Sequence, residues 1–146
     1  MTEIIFHVNV PDKLAYSCRL LRKAYLSGAR VAVTAEPQML TELDQLLWSF
    51  SRPEFLPHCL TAGASASALA LTPILLAESL TACTHHDVLV NLGQDIPGEF
   101  EGFERFIELV GQDHDDVLAG RKRWKHYAKR GYALKKHDRA KAGSTP

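Results

Sequence analysis

The stretch Glu3–Ala35, EIIFHVNVPDKLAYSCRLLRKAYLSGARVAVTA, decides the fold. Ile4, Ile5, Phe6 and Val8 make an apolar run too dense for a solvent-facing edge, so it reads as a strand buried in a parallel sheet. Pro11 and Asp12 then open a helix. Proline near the first turn gives up no needed hydrogen bond, and an aspartate there caps or favours the positive end of the helix. Leu14, Ala15, Cys18, Leu20, Leu21 and Tyr25 supply its inner stripe, Ser27-Gly28 ends it, and Arg30–Ala35 returns as a strand. One βαβ unit, right-handed by the usual rule, is complete within these residues.

Outward from this unit, a second helix begins near Thr34–Pro37 and runs through Leu40, Leu43, Leu46 and Leu47 to Trp48 and Phe50. Two prolines in Ser51–His58 break it. A short strand is expected at Cys59–Thr61, a surface loop at Gly63–Ala68, and further strands at Pro73–Ala77, Val88–Asn91 and Phe106–Val110. Beyond Tyr132 no apolar period remains, so residues 133–146 are expected to be a basic, flexible tail on a domain spanning 1–132. The alternation predicts one three-layer α/β domain on a largely parallel (mixed) sheet. It is Rossmann-like but lacks a phosphate-binding glycine loop. The turns Asn9–Asp12 and Thr34–Pro37 contain no glycine, so backbone N–H groups cannot close around phosphates there, and nucleotide binding is disfavoured.

With 146 residues, 46% hydrophobic and 23% charged, the chain suits one soluble domain with a real core. It has no eighteen-residue apolar run, and MTEIIFHVNV lacks the basic start of a signal peptide, so a cytoplasmic address and no membrane contact are expected. Cys18, Cys59 and Cys83 are odd in number and far apart, which argues against a disulfide framework or a zinc knuckle. In His85-His86-Asp87, adjacent histidines project to opposite sides if extended, and His58 has no Cys or Asp at ligand spacing. Structural or solvent-exposed roles, with no metal and no cofactor, are expected for all three. No serine lies in a nucleophile elbow and no carboxylate pair stands out, so an enzyme is the weaker class.

Charge is where the sequence is unusual. Net charge is zero, yet residues 121–146 hold ten of the seventeen Lys and Arg against one acid, Asp138. Most of that charge lies in or just after Asp113–Tyr132, DHDDVLAGRKRWKHYAKRGY, which reads as a helix with acids at its start, cations toward its end and Gly131 as its stop. At 100° per residue Val117, Trp124 and Ala128 share a face with Arg121 and Lys125 on its rim, while Lys122, Arg123, His126, Lys129 and Arg130 point away. An apolar seam edged by cations suits an anionic ligand with a greasy end; a solvated, dipole-compensated helix end is the plainer reading. A third reading is a basic nucleic-acid-binding domain that contacts single-stranded DNA through Lys122, Arg123 and Lys129.

Four runs resemble one family: SGARVAVTAEP (27–37), LDQLLWSFSRPEFLPH (43–58), VLVNLG (88–93) and RKRWKHYAKRGY (121–132) are similar to the chi subunit of bacterial DNA polymerase III, a clamp-loader accessory. The likeness covers nearly the full chain. It implies a non-enzymatic replication adaptor bridging two partners. These are the psi subunit and the acidic C-terminal tail of single-stranded-DNA-binding protein, which ends in Ile-Pro-Phe and a free carboxylate. DNA is then met indirectly or weakly. By position, the resemblance puts tail binding on Arg121, Trp124 and Lys125, with Val110 and Trp48 lining the apolar pocket, charge steering on Lys122 and Lys129, and a psi contact at Phe55. Plain core packing is the other reading of Trp48 and Phe55. The chain has Trp124 where a Tyr also occurs in the family, and Val117 where a Lys can contribute charge. The loop 63–69 carries nothing over.

Overall fold

A computed structural model describes residues 1–49 and 55–139. The expected opening unit is present as β1 (Glu3–Val10), α1 (Lys13–Leu26) and β2 (Val31–Thr34). Asp12 caps α1 by accepting a hydrogen bond from the Ala15 N–H at 3.2 Å. Gly28, at φ +87°, closes the helix, with Ala29 N–H donating to Ala24 C=O and Gly28 N–H to Tyr25 C=O. The chain continues through α2 (Pro37–Ser49), β3 (His58–Leu60), α3 (Ala66–Leu71), β4 (Ile74–Leu76), β5 (Val88–Asn91), β6 (Arg105–Gly111), α4 (His114–Lys129) and β7 (Leu134–Asp138).

The seven strands form one sheet in the order β3-β4-β2-β5-β6-β1-β7, and every pairing is parallel, so the antiparallel component allowed for in a mixed sheet is not found among the described residues. β1 lies between β6 and β7, which accounts for its density of apolar residues. One face of the sheet packs on α1 and α2 through Leu21, Val31, Val33, Leu43, Leu47 and Leu109. The other packs on α4 and the 3₁₀ turn Phe100–Gly102 through Ile4, Phe6, Leu75, Leu89, Phe106 and Tyr127. The result is the expected three-layer α/β arrangement.

Two elements depart from the sequence reading. Residues 134–138, expected as flexible tail, form β7, paired along β1 from Ile4↔Leu134 to Val8↔Asp138, so the sheet extends past Tyr132. The strand carries no apolar signature because an edge strand can show charge on both faces: only Leu134 is apolar in LKKHD. Part of the expected loop Gly63–Ala68 begins α3, capped by Ser65, whose hydroxyl accepts from Ala68 N–H. The expected helix end at Phe50 and the first part of the proline break, 51–54, lie outside the described residues.

β1 ends irregularly. Its register with β6 shifts between His7 and Val10, where Asn9 takes φ +61°. Asparagine tolerates this left-handed conformation better than most residues. The extra residue reverses the alternation: Phe6 belongs to the α4 side of the sheet, Val10 to the α1 side. Asn9 is held by Gln112, which donates to its Oδ1 at 3.1 Å, and itself donates to Asp138 at 3.3 Å.

Candidate functional site

The position of α4 on the sheet decides which of its residues face a ligand. Its buried residues are Asp116, Gly120, Arg123 and Tyr127, a stripe lying about a quarter turn from the Val117–Trp124–Ala128 seam expected from apolar spacing. Arg123, expected to point outward, is 2% exposed and donates to Glu108 Oε1 at 3.0 Å and to the Gln94 carbonyl at 2.9 Å. Glu108, fully buried on β6, also accepts from the Tyr127 hydroxyl at 2.5 Å and from Asn91 Nδ2 at 2.9 Å. Burial pushes the Glu108 carboxyl up to about 7, while Arg123 and the hydrogen bonds from Tyr127 and Asn91 pull it down. At the other end of the helix Asp116 accepts from the Gly111 N–H at 2.6 Å and pairs with Lys13 at 3.1 Å. Asp113 stands at the N-cap position, but its side chain makes no capping bond.

These ties hold α4 close to β6. A Cβ on Gly120 would lie 2.7 Å from Val110 Cγ2, and a β-branched side chain in a strand has little freedom to yield. The glycine thus permits the approach, at a cost to helix propensity.

The displaced seam becomes the wall of a groove of about 530 Å³. α4 contributes Val117, Gly120, Arg121, Trp124 and Lys125. The floor comes from Phe6 and Val8 of β1 and Val110 and Gly111 at the end of β6, and Asn9 and Gln112, which follow these strands' last floor residues, also line the groove. Lys136 of β7 completes the lining. Trp124 packs edge-on against Phe6, ring centroids 5.0 Å apart. Among the described residues no carboxylate lines the groove, and no acid lies within ion-pair reach of Arg121, Lys125 or Lys136. An apolar trough edged by three cations, none with an acidic partner among the described residues, is complementary to a ligand that carries both an apolar group and negative charge.

Of the residues singled out from sequence, Arg121, Trp124, Lys125 and Val110 meet in this groove. Lys122 and Lys129 are exposed on α4 but do not line it. Trp48 does not line it either: it sits near β3, at the opposite edge of the sheet, with its ring 5.1 Å from that of Phe55. Trp48 is 61% exposed and Phe55 51%, so core packing fails for both. The pair rests on His58, whose Nδ1 donates to the Leu56 carbonyl at 2.6 Å and whose Nε2 lies 3.2 Å from Asp44. His85 is buried, and its burial lowers its pKa; His86 tilts against Phe103.

Sequence reasoning missed Gly120, Lys136 and, apart from Val110, the strand residues of the floor. A glycine in mid-helix is a readable signal of close approach; nothing in LKKHD marks Lys136.

Comparison with known proteins gives one answer. The family described as "DNA polymerase III chi subunit, HolC" matches residues 1–135. The protein named DNA polymerase III subunit chi from Pseudomonas aeruginosa is 34% identical over 143 residues, covering 94% of this chain and 96% of its own. Its namesake from Haemophilus influenzae is 29% identical over 120 residues, 81% of each chain.

Proposed function

Because the chain belongs to the family of DNA polymerase III chi subunits, accessory and non-catalytic components of the replication polymerase, we propose that it is an adaptor with two docking surfaces. The groove beside α4 captures the acidic C-terminal tail of single-stranded-DNA-binding protein. The observation that carries this reading is the pairing of an apolar trough with three cations that have no acidic partner among the described residues. Arg121 suits the terminal carboxylate, which a guanidinium takes through two parallel hydrogen bonds. Val110, Val117, Phe6 and Trp124 offer the apolar surface that a terminal phenylalanine needs. Lys122 and Lys129, outside the trough on the same helix, raise the encounter rate with an acidic segment. A short disordered tail loses entropy on capture, so affinity near the micromolar scale, roughly −8 kcal/mol, is expected, weakening with salt.

The second surface is the exposed Trp48–Phe55 pair, which suits an apolar partner, and psi is the partner we assign to it. The clamp-loader link and a cytoplasmic setting belong to this same reading. Direct binding of single-stranded DNA is less favoured, since Arg123, one of the three cations it relies on, is engaged internally with Glu108.

Fluorescence anisotropy tests the groove, using a labelled acidic peptide ending in Ile-Pro-Phe and its amidated twin. Saturable binding is expected, lost on amidation and weakened at least about tenfold by Arg121→Ala, which leaves the carboxylate unpaired. Equal binding of both peptides, or tight binding of single-stranded DNA with neither, would exclude the tail reading. Trp48→Ala should abolish co-elution with psi and leave tail affinity unchanged, because the two surfaces sit at opposite edges of the sheet.

A further inference from the structure

We propose that Lys136 is a specificity residue of the groove, reading acidic side chains upstream of the ligand's terminal carboxylate. The inference rests on the groove reading above and deepens it. β7 contributes Lys136 alone to the lining, from a wall different from that of α4.

Register fixes its height. Lys136 pairs with Phe6 on β1, and Phe6 carries the Trp124 ring. Lys136 therefore stands level with the Trp124–Lys125 turn of α4. Arg121 lies one helical turn away, about 6 Å along the axis. It is on the side where Gly120 meets Val110 and where β6 ends at Gly111. A peptide whose carboxylate sits at Arg121 and whose apolar side chain fills the trough thus sends its preceding residues toward Lys125 and Lys136. Those two cations come from opposite walls, so acidic side chains passing between them are met from both sides.

The charge of Lys136 is available for this. Among the described residues no acid lies within ion-pair reach of it, and Asp138, the one acid on β7, is held by Asn9. The ligand class this implies is a peptide with acidic side chains a few residues before an apolar C-terminus, in preference to an apolar C-terminus alone.

The test uses two labelled peptides, both ending in Ile-Pro-Phe with a free carboxylate, one preceded by aspartates and the other by asparagines. Titrations at low salt use the full chain and its Lys136→Ala, Lys136→Glu and Lys136→Arg variants, each with a thermal melt to check that the fold is kept. Lys136→Ala is expected to weaken the aspartate peptide roughly threefold, the scale of one exposed charge pair, and to leave the asparagine peptide unchanged. Lys136→Glu should weaken the aspartate peptide further, and Lys136→Arg should restore it. If Lys136→Ala weakens both peptides equally or neither, the inference is overturned while the Arg121 assignment stands. If the wild type binds without regard to the terminal carboxylate, the groove reading falls and this inference with it.

Discussion

Arg123 and Glu108 are each almost wholly buried, and neither is tolerable there without the other. Their pairing turns α4 so that Arg121, Trp124 and Lys125, its near neighbours in sequence, face the groove. Removing the guanidinium alone leaves a carboxylate in the core with only Tyr127 and Asn91 to satisfy it. Arg123→Ala should therefore cost about 3–5 kcal/mol in urea unfolding. The double change Arg123→Met with Glu108→Gln should recover a large part of that loss, since no orphaned charge remains. A single variant as stable as wild type would show that the pair does not hold the helix. Arg123 is also the residue hardest to read from sequence. Periodicity counts an arginine as outward, and Asp116 on the same buried stripe compounds the error. The expected seam is thus rotated, even though Arg121, Trp124 and Lys125 do lie together.

β7 is the element that gives the groove its second wall, and a histidine of β1 packs against it. His7 of β1 stacks on His137 of β7 with ring centroids 5.4 Å apart, and its Nδ1 lies 2.6 Å from the Tyr16 hydroxyl. Burial, then the charges of His137, Arg139 and Lys23, lowers the His7 pKa from 6.5 to about 4. Between those values the unfolded chain binds the proton and the folded chain resists it, so the His7 contribution to stability falls as pH drops from about 6.5 to 4. Glu108, raised from 4.5 to about 7, acts in the opposite sense over much of that range, so the measurement must be a comparison. His7→Gln should lose less stability than wild type between pH 7 and pH 5 in urea titrations; parallel losses would remove His7 as the cause. The strand itself is not legible in sequence. Buried parallel strands announce themselves as apolar runs, as Val31–Thr34 and Val88–Asn91 do, whereas an edge strand is defined by its partner.

Across the whole molecule, the layer order and parallel sheet are readable from residues because each buried strand and amphipathic helix carries its own pattern. The two surfaces are readable only in part. An aromatic residue does not declare whether it faces a core, a trough or solvent, so Trp48 is grouped by sequence with the groove although it stands beside Phe55. The position of β1 has a further consequence, in time. Its contacts reach far along the chain, from Asn9 to Asp138, 129 residues away, while the neighbouring Thr2 reaches Phe103, 101 residues away. Such distant pairings form late, because a long loop must close before any contact rewards it. Phe6 and Val8 cannot serve as a floor until β6 and β7 have arrived on either side. In a refolding experiment, capture of the tail peptide proposed as its ligand should return with the slowest phase, after helical signal has recovered. Capture in an early phase would mean that α4 alone suffices. The groove then reports completion of the fold: a chain that holds its ligand has already joined its first strand to its last described one.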